Sequence, residues 1–262
     1  PGVTAAQAGE VTVVAWNDHE GFERAVEQAG SSLAAVIAEP IPANMGVVPP
    51  RPGFLESLRK RCDATGALLV ADEVVTGFRV ASGGAAELLD LRADLTMLGK
   101  VLGGGLPLAA VVGQRGLMEH LAPVGETYQA GTLSGNPLAT AAGLATLELL
   151  DHAAYARLER TTERLASGLR EQAAHAGVAV HVTAVCGLVT VFFTERPVTG
   201  YDDARNTDSE VFSRFFNEML ARGIYLPPSP FEAWFPSLAH TDGQIDETIE
   251  AAGGSFAGVA GS

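Results

Sequence analysis

ALLVADEVVTGFRV (residues 67–80) and LTMLGKVLGGGLP (residues 95–107) decide the fold. Each begins with a short apolar run and stops abruptly, the first on Asp72-Glu73 and the second on Gly99-Lys100. Runs of this kind, without polar alternation, predict short strands of a mostly parallel sheet covered on both faces. LAAVIA (33–38), ending at Glu39-Pro40, reads as another such strand.

Between these runs the sequence turns helical. Asp18 stands at an N-cap before a helix reaching Gly30. Pro52 to Thr65 predicts a helix with Pro near its first turn and Gly66 just past its end. Val11 to Val14 is a further apolar run, and Pro107 to Gly113 reads as an additional strand. Asn136-Pro137 opens an Ala- and Leu-rich helix to about Leu150.

The character changes after Asp151. Leu158, Leu165 and Leu169 lie at helical spacing in a charged segment that stops near Gly177. Residues 178–194 are β-rich and predict a hairpin. Thr207 to Gly223 is amphipathic, with Phe215 and Phe216 expected in the core. A last helix starts near Thr241, and the glycine-rich end, AAGGSFAGVAGS, reads as frayed. The expected fold class is α/β, with residues 1–154 forming part of a large domain and 155–262 a small α+β domain.

Composition narrows the functions. The net charge of −14 opposes phosphate backbones and anionic lipid, so neither nucleic acid nor a membrane surface is an expected partner. Cys62 and Cys186 are distant and outside any CxxC spacing, which fits a reduced, cytoplasmic setting. No apolar run reaches the ~18 residues of a membrane helix. The six histidines form no HxxxH or HExxH pattern, so no metal site is expected. The opening Pro1-Gly2-Val3-Thr4 has neither Met nor a charged n-region, and reads as the middle of a longer protein.

Ligands of open α/β sheets bind at the carboxyl ends of strands. Glu39, Asp72 and Lys100 all fall there. A lysine and an acid on neighbouring strand ends, among glycines, are what a pyridoxal phosphate site requires: the amine condenses with the cofactor aldehyde, and the acid keeps the pyridine nitrogen protonated. ALLVADE also resembles a Walker B strand. However, Lys100 is followed by Val101, and Asp94 occupies the first glycine position of a GxxxxGK[ST] loop, so nucleotide hydrolysis is disfavoured.

The two opening segments together resemble the signature of class III aminotransferases, which have fold type I. EPIPANMGVVPPRPGFLESLR (39–59), TYQAGTLSGNPLATAAGLATLELL (127–150) and PPSPFEAWF (227–235) extend the resemblance to about residue 250, toward the glutamate-1-semialdehyde aminomutase branch. Ordinary members tend to read GFGRTG where this chain has Gly77-Phe78-Arg79.

The resemblance implies pyridoxal 5'-phosphate as cofactor, passing through its pyridoxamine form. It implies an isomerase that converts glutamate 1-semialdehyde to 5-aminolevulinate for porphyrin biosynthesis. An aminotransferase with a separate donor and 2-oxo acid acceptor is the alternative.

It also implies residue roles. Lys100 is the cofactor lysine and proton shuttle. Asp72 is the partner of the pyridine nitrogen. Val74 packs beneath the ring, unless it is plain core. Asn44 lies near the cofactor hydroxyl, or only shapes its turn. Gly131 and Thr132 reach the phosphate of a neighbouring subunit, making a homodimer with shared sites. Tyr128 and Glu232 face substrate, with Glu232 near its entrance or simply exposed. Glu39 is either a second acid or a strand cap. The family's other phosphate loop, its ring-stacking aromatic residue and its gating loop are expected before Pro1. The chain alone is therefore expected to bind cofactor poorly or not at all, and at the limit to be only a folding or interaction fragment.

Overall fold

The computed structural model describes residues 2–260. In chain order the elements are α1 (Ala5–Gly9), α2 (His19–Ala29), β1 (Ala35–Ala38), α3 (Phe54–Thr65), β2 (Leu68–Glu73), α4 (Gly84–Leu88), β3 (Leu95–Leu98), β4 (Ala110–Gly113) and α5 (Arg115–Met118). They are followed by α6 (Pro137–Glu148), α7 (His152–Ala176), β5 (His181–Val185), β6 (Leu188–Phe192), α8 (Tyr201–Arg205), α9 (Ser209–Ala221) and α10 (Asp242–Ala260).

Local chemistry sets most boundaries. Asp18, Asn136, Asp151 and Asp208 each accept a backbone N–H in the first turn of their helix, satisfying donors that a helix start leaves free. Gly66 and Gly177 end α3 and α7 in left-handed conformation, which costs glycine no Cβ clash.

The four-stranded sheet has the order β1-β2-β3-β4, with β1, β2 and β3 parallel and β4 antiparallel. It is α/β and mostly parallel, as expected. Its cover differs from expectation. On one face Leu69 joins Phe22, Phe54 and Leu58 from α2 and α3. By register, Ile37, Val70, Asp72, Met97 and Val111 share the opposite face. There Val70 is buried, but Ile37 is 64% exposed and Val111 52%. Among the described residues β2 is the most enclosed strand, although its far face opens at Asp72. Val11 to Val14 forms no strand, and Val13 is exposed.

The predicted hairpin is β5-β6, antiparallel, with Val182 opposite Val191. It packs with α7, α9 and α10 around Leu169, Phe193, Phe215, Met219 and Phe256. Phe215 is fully buried, while Phe216 packs on this cluster from its edge.

The frayed tail is a correction. α10 continues to Ala260, with Ala252 and Phe256 fully buried. Its glycines allow close packing: a Cβ on Gly253 would meet Gln172 Oε1 at 2.4 Å, and one on Gly254 would meet Arg222 Nε at 2.8 Å. Gly261 and Ser262, like Pro1, lie outside the described residues.

Asp94 ties the layers together. Its Oδ2 accepts from Leu69 N–H at 2.7 Å and from Arg59 Nη1 at 2.8 Å, joining α3, β2 and the start of β3. Burial opposes its charge, but the Leu69 N–H and the Arg59 guanidinium outweigh this and hold the carboxyl below the usual range. A depressed folded pKa adds stability that is present above the unfolded value, about 3.9, and is lost as pH falls through the folded one. Asp94→Asn is expected to lower the melting temperature near neutrality and to flatten its decline on acidification. Parallel melting curves for the two proteins from neutral to acid pH would refute the assignment.

Candidate active site

Three strand ends meet at one edge of the sheet. Ala38 pairs with Ala71, so Glu39 emerges beside Asp72. Asp72 pairs with Met97 and Glu73 with Leu98, so Gly99 and Lys100 emerge on the other side. Neighbouring strands lie about 4.8 Å apart. Glu39, Asp72 and Lys100 thus share the carboxyl edge where the sequence predicts a site.

Asp72 and Glu73 diverge because successive strand residues face opposite ways. Glu73 turns into the core and is 1% exposed. Its carboxylate accepts from Ala85 N–H at 2.6 Å, Ala86 N–H at 3.0 Å and Thr76 Oγ1 at 3.0 Å. A Cβ on Gly84 would lie 2.0 Å from Glu73 Oε2, so only glycine fits there. Glu73 therefore folds the segment after β2 back beneath the sheet edge.

Asp72 turns to the open face. Its Oδ1 accepts from Val74 N–H at 3.0 Å, which fixes the carboxylate plane. Among the described residues its Oδ2 has no hydrogen-bond partner. Val74 in turn packs on Gly99, where a Cβ would meet Val74 Cγ1 at 3.3 Å. This contact brings the turn after Asp72 against the residue preceding Lys100.

Lys100 has φ +44°, a left-handed value uncommon outside glycine. It opens a 3-10 turn, Lys100–Gly103, at the end of β3. Its side chain is exposed and, among the described residues, makes no ion pair. An unpaired amine on a strained backbone, at the end of the strand neighbouring that of a carboxylate with one free oxygen, fits the donor set that an aldehyde-bearing pyridine cofactor needs.

The remaining candidates divide. Asn44 is exposed, and its amide donates to Glu39 Oε1 at 3.4 Å, while Ala43 N–H donates to Glu39 Oε2 at 3.3 Å. Glu39 thus organises the turn after β1. Glu232 is exposed on the loop from Ser229 to Pro236. Gly46 N–H donates to Phe231 O at 2.7 Å, so the loops of Asn44 and Glu232 touch. A cavity of about 1070 Å³ along β1 takes in Glu39 and Asn44 but neither Lys100 nor Asp72.

Tyr128, Gly131 and Thr132 lie on the exposed stretch leading into α6, and among the described residues no hydrogen bond or ion pair links them to Lys100. α6 itself is close, since a Cβ on Gly143 would lie 2.1 Å from Leu102 O.

Sequence reasoning gave no structural role to Arg79 or Asn17. Asn17 is buried at φ +66° and donates to Pro49 O and Thr199 O while accepting from Arg51 N–H. A lone Asn or Arg carries no periodic signal. The one available clue was Asn17-Asp18, a turn pair just before a helix.

The Aminotransferase class-III family profile matches residues 2–252. The chain belongs to the class III aminotransferases. It is 53% identical over 252 residues to glutamate-1-semialdehyde 2,1-aminomutase 2 of Brevibacillus brevis, covering 96% of this chain and 59% of that protein. An omega-transaminase from Sphaerobacter thermophilus superimposes with TM-score 0.92 at 30% identity, over 100% of this chain and 60% of the other. A glutamate-1-semialdehyde-aminomutase variant from Pseudomonas aeruginosa PAO1, in complex with PMP, gives TM-score 0.82 at 25% identity, over 93% and 56% of the two chains. The chain spans about 59% of the length of the curated relative it matches. Its architecture is that of this class III family, as the paired strand-end motifs led us to expect.

Glu73→Ala leaves buried N–H groups without an acceptor and a void in the core. It is expected to cost about 2–4 kcal/mol, read from urea denaturation. A loss below about 0.5 kcal/mol would show that Glu73 does not hold the turn.

Proposed function

We propose that this chain forms the lysine-bearing part of the cofactor domain and the C-terminal domain of a pyridoxal-phosphate enzyme. That enzyme moves an amino group within glutamate 1-semialdehyde to give 5-aminolevulinate, a step of porphyrin biosynthesis. The observation that carries the reading is the junction of Lys100, Asp72 and Val74 at one sheet edge, in a chain about half identical to a protein named for that reaction.

Bound at this edge, pyridoxal phosphate supplies an electron sink, in its pyridoxamine form during part of the cycle. Asp72 would keep the pyridine nitrogen protonated, its carboxylate oriented by the Val74 N–H. Val74 would support the ring, and Asn44 would lie near its hydroxyl. Lys100 would hold the cofactor, and its Nζ, on a long flexible stem anchored to a rigid backbone, would be the group that takes up and returns protons beside the substrate. Tyr128 and Glu232 border the substrate.

Gly131 and Thr132 serve the phosphate of a neighbouring subunit, so the working protein is a homodimer. α6 supports this part. It is apolar all round, yet Leu138 is 76% and Leu144 62% exposed, and a helix of that composition belongs under cover. The division into residues 1–154 and 155–262, whose boundary falls in the first turn of α7, draws support from the separate sheets and from the all-C-terminal cluster around Phe215. Among the described residues no helix is long and apolar enough to cross a membrane. With the free thiols of Cys62 and Cys186, this supports a cytoplasmic setting.

The test supplies glutamate 1-semialdehyde alone to the cofactor-loaded full-length enzyme of which this chain is proposed to be part. 5-Aminolevulinate should form without any added amino acceptor. Lys100→Ala should lower kcat by about 10²–10⁴-fold, and Asp72→Asn should lower it while leaving the lysine in place. Product only after a 2-oxo acid and an amino donor are added would instead assign an aminotransferase.

A further inference from the structure

The loop from Ser229 to Pro236, which carries Glu232, is fastened at three points. Gly46 N–H holds Phe231 O near its start, at 2.7 Å. Trp234 exchanges two backbone hydrogen bonds with Val189, at 2.7 and 3.0 Å. At its far end, Arg79 Nη1 donates to Pro236 O at 3.2 Å, and the guanidinium carbon lies 5.5 Å from the centre of the Phe235 ring. Of these anchors, only Arg79 belongs to the turn that bears Asp72 and Val74.

Arg79 is built into this position. Phe78 takes φ +56°, and its carbonyl accepts from Tyr155 Oη of α7 at 3.0 Å. The Arg79 stem crosses Gly187 in the β5-β6 turn, where a Cβ would lie 2.7 Å from Arg79 Cδ. No carboxylate pairs with it among the described residues, and its buried Nε has no hydrogen-bond partner. Burial pushes the guanidinium below its ordinary pKa, against the pull of Cys186 and Tyr155. A cation without a counter-ion contributes little as an ion pair. Its planar fork and aromatic contact instead fix geometry.

We infer that Arg79 is a positioning residue, setting the Glu232 loop relative to the Asp72 turn and thereby the substrate side of the site. The inference rests on the proposed function for its kinetic arm only. In the cofactor-loaded protein, Arg79→Ala should speed amide hydrogen exchange over residues 229–237 about tenfold, with cofactor absorbance unchanged. It should raise KM for glutamate 1-semialdehyde about tenfold and change kcat less than about threefold.

Combined with Glu232→Gln, the effects on KM should be non-additive. Unchanged exchange over 229–237, or additive KM effects, overturns the inference. If Arg79→Ala does not fold, Arg79→Lys keeps the charge and the stem over Gly187 but loses the fork, and the same comparison applies. If the protein fails to isomerise its substrate, the function proposal falls. Hydrogen exchange, which needs no turnover, still decides the role of Arg79.

Discussion

The burial of one carboxylate governs the site. Glu73 is enclosed at the end of the central strand, where a charge must be met by donors or not form at all. Two backbone N–H groups and a hydroxyl meet it. To bring those donors round, the thirteen residues from Glu73 to Ala85 must reverse direction, which Gly84 permits. The reversal lays Gly77 against Leu98 and Val74 against Gly99. Strand alternation then leaves Asp72 on the opposite face, its carboxylate oriented by its own turn. One acid thus serves the fold and its neighbour faces the proposed cofactor site, separated only by the pleat.

Backbone polarity, more than ion pairing, joins the cofactor strands to the C-terminal elements. Val47 N–H donates to Thr190 Oγ1, and Asn17 spans Pro49 and Thr199. Glycine makes these approaches possible: at Gly46, φ is +77°, and a Cβ would lie 2.2 Å from Phe192 Cζ. Exposed ion pairs such as Arg24–Glu20 contribute little by comparison, being screened and entropically costly to hold. Hydrogen bonds formed at close backbone approach depend on distance and angle, so the loops of Asn44 and Glu232 keep a defined separation from the sheet.

Much of this was legible in the sequence, for reasons that differ by element. β2 and β3 announced themselves as apolar runs ending on charge, and the helix starts at Asp18, Asn136 and Asp151 by capping chemistry. Lys100 and Asp72 followed from strand ends. Glycine was the ambiguous letter. In AAGGSFAGVAGS it reads as a breaker, yet in α10 it admits Gln172 and Arg222 from neighbouring helices. That distinction depends on what packs opposite, which a linear pattern does not encode. The same limit hides Arg79 and Asn17, whose partners lie up to 182 residues away. The uncovered face holding Ile37 and Val111 was also illegible, because an apolar run predicts a need for cover and not its presence.

The conformation of Lys100 closes the argument about rigidity. A left-handed lysine is strained by about 1–3 kcal/mol and persists only where its surroundings leave no alternative. Those surroundings are tight on several sides. Gly99 is closed in by Val74, and a Cβ on Gly103 would lie 3.2 Å from Leu108 N. One on Gly104 would lie 2.5 Å from Ala142 O of α6. The backbone on both sides of the lysine is therefore clamped between the turn after β2 and α6, while its side chain projects without an ion pair. A rigid base under a flexible four-carbon stem confines the amine to a small region above the sheet edge and leaves it mobile within that region. The proton transfers proposed for Lys100, which would serve several neighbouring carbons in turn, call for that combination, and a fixed arginine or a salt-bridged lysine would not supply it.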